Sequence, residues 1–207
     1  MSTAALTHDS HHGHAGAPPA TAKFGMIMFL ISEGMLFAGL LGGYFVLRWA
    51  EVGFPWQAGY AWPRGEGIPP LPVFLTSVNT IFLLASSVTF HMAEVAVNKG
   101  KSGLGWLAVT IFLGSLFVGI QCYEWWHLHH EGLWFNTGGI YGSSFFLITG
   151  FHGLHVLVGV LMIAWALIRQ LGGAYTAQSH TYLILAGMYW HFVDVVWLFL
   201  YSVLYLV

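Results

Sequence analysis

Apolar residues along this chain do not alternate. They run in five long blocks, each broken by only a few polar positions. The first block, Phe24 to Leu47, holds one acid, Glu33, and no base. At about 1.5 Å rise per residue a helix of that length covers a bilayer's hydrocarbon layer, which needs roughly 20 apolar residues. Reading the other blocks the same way predicts helices over about 22–49, 73–97, 103–126, 139–169 and 180–206. Glu33 is costly to expose to lipid, so it is expected to face other helices or water, or to stay protonated.

The polar stretches between the blocks are equally informative. Gly53 to Pro72 carries Pro55, Pro63, Pro69, Pro70 and Pro72 with Trp56, Tyr60 and Trp62. Proline at that density excludes a helix, and the aromatic residues suit an interfacial loop. Residues 1–22 hold His8, His11, His12 and His14 among Gly, Ala and Pro without any period. They read as a flexible His-rich tail, with metal binding by its imidazoles left open beside the solvated reading. The chain thus divides into a tail, 1–22, and one transmembrane domain, 23–207.

Composition agrees with the pattern. The 207 residues are 57% hydrophobic and only 7% charged, with a mean hydropathy of +0.71. Soluble domains carry about 25% charged residues. The fold expected is therefore all-α, a polytopic membrane protein built as a five-helix transmembrane bundle. A net charge of −2 leaves no nucleic-acid footprint. The single cysteine, Cys122, excludes an internal disulfide. No secretory signal is expected at the polar start of the chain. Five spans place the termini on opposite sides. Lys23, Lys99, Lys101 and Arg169 on one side outnumber Arg48 and Arg64 on the other, which favours a cytoplasmic N-terminus and an external C-terminus.

Several residues inside the blocks can carry structure or chemistry. Gly34, Gly39, Gly42 and Gly43 are expected to let the first helix approach its neighbours closely. Ser77, Asn79, Thr80, Ser86, Ser87 and Thr89 give the second helix hydrogen-bonding groups. His91/Glu94, Gln121/Glu124, His152/His155 and His191/Asp194 are each three residues apart, so each pair shares a helix face. Three readings of these pairs stand: an interhelical hydrogen-bonding network, a proton relay, or haem ligation by His152 or His155 against His191. Glu33 has no polar partner three or four residues away on its own helix, so it is either tied to another helix or an acid that handles protons. His127, His129 and His130, beside Trp125 and Trp126, leave metal binding open.

Three blocks carry a resemblance. MYWHFVDVVWLFLY (Met188 to Tyr201), GIYGSSFFLITGFHGLHVLVG (Gly139 to Gly159) and FLISEGMLFAG (Phe29 to Gly39) resemble segments of haem–copper oxidase subunit III, and Arg169-Gln170-Leu171 and His180 fall at that family's spacing. The likeness runs from Phe24 to Tyr205 and is strongest to cytochrome c oxidase subunit III of the five-helix bacterial form; bacterial quinol oxidases have a similar subunit. The mitochondrial form has seven helices, and this chain starts at what would be the third. The family's glutamate four residues after His180 is Ile184 here, and an acidic position before Gly139 is Gly138.

The resemblance implies an accessory subunit of a proton-pumping oxidase that reduces dioxygen to water in the bacterial plasma membrane. Haems and copper would sit in subunits I and II, with no metal, redox cofactor or catalytic residue in this chain. Its partners would be subunit I mainly, subunit II, and structural phospholipids, and it would support proton uptake. Glu33 would be the buried membrane acid and Arg169 and His180 the lipid head-group contacts. His152, His155, His191 and Asp194 would be structural. From other classes, a small membrane dihaem cytochrome and a proton-coupled carrier stand as alternatives, although no repeat suggests the latter.

Overall fold

A computed structural model describes residues 19–52, 71–136, 139–176 and 179–206. Most of the His-rich tail, the proline-rich loop with its aromatic belt, and Gly138 lie outside the described residues. The described chain is helical, without a strand. Five helices follow in order: α1 (Pro19–Val52), α2 (Val73–Asn98), α3 (Leu104–His130), α4 (Gly139–Leu171) and α5 (Thr181–Tyr201), which continues into a π-helical turn, Ser202–Leu206. All five are long and apolar enough to cross a membrane. The 26 residues of α2, for example, reach about 39 Å, against a hydrocarbon layer of about 30 Å. The protein is a multi-pass membrane protein.

The helix ends follow backbone chemistry rather than hydropathy. The third helix, expected to stop near Trp126, continues one turn through His130. It stops where Gly132 takes φ +92°, a conformation that side chains resist. There Leu133 N–H donates to the Leu128 carbonyl and Gly132 N–H to the His129 carbonyl. This is the Schellman closure, sealed by contact between two buried leucines. His127, His129 and His130 therefore ride on the last helical turn, not on a loop. Gly173 (φ +70°) closes α4 in the same way.

Helices α2, α3, α4 and α5 close a ring, each packing on the next, and α5 packs back on α2. α1 lies outside that ring, mainly against α4 and α5. Trp190 of α5 holds the ring's centre. It is fully buried, and its indole N–H donates to Ser86 Oγ of α2 at 3.0 Å. Its ring fits against two glycines of other helices. A Cβ on Gly159 of α4 would come within 2.6 Å of it, and one on Gly114 of α3 within 2.8 Å. Gly187 of α5 likewise makes room for Phe90 of α2.

The glycines of α1 behave differently from expectation. Added Cβ atoms at Gly39, Gly42 and Gly43 would meet nothing within 4 Å, and at Gly34 only Phe192, at 3.7 Å. Close backbone approach is built at Gly114, Gly159 and Gly187 because large aromatic rings must enter the ring there. Within this chain α1 makes no such approach at Gly39, Gly42 or Gly43.

Candidate functional site

The polar residues of the membrane interior fall on two seams. The longer runs between α2 and α5. Their antiparallel courses put Thr76 near Tyr205 at one end and Glu94 near Gly187 toward the other. From the first end, Glu124 of α3 is fully buried and accepts from the Tyr205 hydroxyl at 2.7 Å and from Thr76 Oγ1 at 3.2 Å. Ser77 Oγ and Tyr201 OH are 2.6 Å apart. Trp197 Nε1 donates to Thr80 Oγ1 at 2.9 Å, and Trp190 to Ser86 as described. Ser87 Oγ lies 2.8 Å from His191 Nδ1. Asp194 is buried beside that contact, with the Ser87 hydroxyl as its polar neighbour. Glu94 leans over α5, its Oε1 3.0 Å from where a Cβ on Gly187 would lie.

This seam fits adhesion better than conduction. The Thr80 and Ser86 hydroxyls donate to carbonyls of their own helix, those of Thr76 and Leu83, and accept from indole N–H groups. An indole N–H donates and cannot accept, so a proton cannot be handed along through those two rungs. In lipid each such contact matters, because apolar surfaces gain little from leaving hydrocarbon.

The second seam ties α1 to α4. Glu33 Oε2 lies 3.0 Å from His155 Nε2, with both side chains mostly shielded. His155 Nδ1 lies 2.6 Å from the Phe151 carbonyl, which can only accept. Nδ1 therefore carries hydrogen. Nε2 is then the nitrogen that shares a hydrogen bond with the carboxyl. Phe37 packs edge-on to His155 at 5.0 Å, and the Tyr189 hydroxyl donates to its backbone carbonyl. The partner that Glu33 lacks on its own helix comes from the fourth.

The paired spacings therefore separate in space. His152 and His155 share a helix but not surroundings. His152 is buried at 1% exposure and stacks on Trp197 with centroids 4.8 Å apart. His91 and Glu94 do face each other, Nδ1 to Oε2 3.9 Å, with His91 largely exposed. Gln121 and Glu124 share the buried stripe of α3, and both lie beside the Tyr205 hydroxyl, which donates to Glu124. Arg169 lies in the last turn of α4 with its guanidinium 5.7 Å above the Tyr175 ring. Burial pushes the Tyr175 hydroxyl up to about 12 against the downward pull of Arg169. His180 Nδ1 donates to the Thr176 carbonyl in the loop that follows Arg169. At the other end of the protein, His127 pairs with Glu131 at 3.6 Å, and His130 Nδ1 donates to the Trp126 carbonyl.

His155 uses both ring nitrogens, His191 uses Nδ1 on Ser87, and the His152 ring lies against Trp197 between Phe37 and Phe117. Among the described residues no group of three or more His, Cys, Asp or Glu side chains is arranged to hold a metal. Sequence reasoning paired His91 with Glu94 but did not show which residues Glu33, Glu124, His155 and His191 meet on other helices. It also missed Tyr201, Tyr205, Trp190 and Trp197, whose polar tips carry the longer seam. Their one available signal was aromatic residues at steps of seven, four and four positions along one span.

Fold and seams together define a helical, multi-pass membrane protein in which Glu33, Glu124 and His191 meet polar groups of other helices. Residues 5–207 match the family profile of cytochrome c oxidase subunit III. Cytochrome c oxidase subunit 3 of Synechocystis sp. is 38% identical, covering 100% of this chain and 87% of its own length. That of Thermostichus vulcanus is 36% identical over 93% of this chain and 90% of its own. That of Cyprinus carpio is 39% identical over 96% and 74%. The chain belongs to the cytochrome c oxidase subunit III family.

Proposed function

We propose that the chain is an accessory, non-redox subunit of a haem–copper cytochrome c oxidase, the proton-pumping enzyme that reduces dioxygen to water. Haem and copper are held by partner subunits. This chain packs mainly on subunit I, also meets subunit II, steadies them, binds phospholipid and supports proton uptake. It lies in a bacterial plasma membrane with its N-terminus cytoplasmic. Glu33 is the membrane acid. Arg169 and His180 take a lipid head group, for which a guanidinium at a helix end, able to give a phosphate two hydrogen bonds, is well suited.

The observation that carries this reading is the engagement of the intramembrane groups within a chain that matches the family from end to end. His155, His191 and Glu124 meet polar groups of other helices, which supports reading them as glue. Purification of the tagged chain in mild detergent tests the proposal. Larger subunits bearing haem and copper, with cytochrome c-driven dioxygen consumption, are expected to come with it. A chain that purifies alone, or with quinol-driven activity only, contradicts it.

A further inference from the structure

Three polar side chains from three helices converge on Phe117, and each has buried hydrogen-bonding atoms that the chain does not satisfy. Asn79 of α2 donates its Nδ2 to the Phe117 carbonyl at 3.1 Å, which leaves Oδ1 without a donor. Gln121 stands one turn beyond Phe117 on the same buried stripe of α3, with neither Oε1 nor Nε2 paired. Its amide neighbours the Tyr205 hydroxyl, whose oxygen it can donate to while that hydroxyl gives its own proton to Glu124. His152 of α4 sits with its ring 6.0 Å from that of Phe117, and neither of its nitrogens has a partner. The exposures of the three are 0%, 5% and 1%. Buried polar groups in folded proteins are almost always hydrogen-bonded, so three such residues around one ring call for a shared partner.

The chemistry of the set selects that partner. Asn79 offers an acceptor, the Gln121 amide both a donor and an acceptor, and a neutral imidazole one of each. No formal charge is among them, so neither a cation nor an anion is favoured. The walls are aromatic: Phe37, Phe117 and Trp197 all pack on His152. A small neutral molecule that both donates and accepts satisfies every atom of the set. We infer that the interior of the bundle binds one or two water molecules at the level of Phe117, bridging Asn79, Gln121 and His152. Folded proteins hold on the order of one buried water per 27 residues, each making about three hydrogen bonds, and this set supplies that many partners. The site adjoins the α2–α5 seam through Trp197 and Tyr205 and the Glu33–His155 couple through Phe37, and it does not depend on the chain's role in an oxidase.

The direct test is a cryo-EM map of the purified, unaltered complex at about 2 Å, fine enough to place ordered water bridging two polar groups. Density within hydrogen-bonding distance of at least two of the three side chains is the expected result. Side chains bonded directly to one another, or a dry contact, overturn the inference. A second arm uses Gln121→Met, His152→Phe and the double variant, read as the rate at which SDS strips the chain from the complex. If water is shared, removing one partner already loses the bridge. The double variant then falls short of the product of the single effects by about tenfold, as contacting groups do. A double variant equal to that product overturns the shared site.

Discussion

α1 and α5 are both long, strongly apolar helices, yet they are held in different ways. Among its described residues α1 buries only Phe37 and Tyr44. α5 buries ten residues, from Leu183 to Leu200. α5 is fixed by Trp190 seated against two glycines and by indole and phenol groups that reach α2 and α3. α1 is held by few contacts, one of them a couple that combines an acid with an imidazole. The difference shows what fixes helices in a membrane. Apolar content takes a helix into the bilayer, but small residues, indoles, hydroxyls and ionisable groups decide which face meets a neighbour.

Four experiments sharpen that contrast. The largest effect is expected for Trp190→Ala, which empties the centre of the ring and removes the Ser86 contact. Large-to-small changes of a buried aromatic cost about 3–5 kcal/mol. Loss of the chain from the complex at much lower SDS is the readout, and a wild-type midpoint would break the account of α5. Next comes Gly159→Ala against Gly43→Ala. The first forces a methyl onto Trp190 and is expected to cost about 1–3 kcal/mol, as overpacking does. The second meets open space and is expected to lie within about 0.5 kcal/mol of wild type. Equal effects on the same SDS titration would erase the distinction between the two helices.

The Glu33–His155 couple predicts a smaller, chemical effect. Carbodiimide attacks protonated carboxyls in apolar surroundings, so Glu33 should be labelled ahead of the exposed Glu131, as peptide mass spectrometry would report. His155→Phe removes the base that shares the proton and should speed labelling of Glu33 further. Unchanged labelling in that variant would mean that His155 does not share Glu33's proton. The smallest effect concerns Arg169→Ala, which should lower co-purified phospholipid while leaving the helix assembly intact. Unchanged lipid by mass spectrometry would remove Arg169 as a head-group contact.

Much of the fold was legible in the sequence because a bilayer imposes a length on every apolar block. The five spans follow from that alone, and their ends fell close to Val73, Gly139 and Leu206. The end of α3 did not, because it depends on Gly132 and the Leu128–Leu133 contact, while hydropathy falls earlier. The π-helical turn after Tyr201 left no mark in the pattern. Partnership was legible only in part. Spacing placed His152 and His155 on a shared face. It could not show that one stacks on Trp197 in the core while the other meets Glu33 more than a hundred residues away. The glycines used inside the chain were hidden for the same reason. Gly159 is used because Trp190 arrives from another helix, whereas Gly39, Gly42 and Gly43 look apt on their own helix and meet nothing.

The claim beneath all of this is that acids and imidazoles inside the membrane hold helices together while electrons pass through other chains. An optical spectrum of the chain after its partners have been stripped away tests it most directly. The account expects no Soret band. A Soret band that remains with the chain and is lost in His152→Ala, His155→Ala or His191→Ala would contradict it.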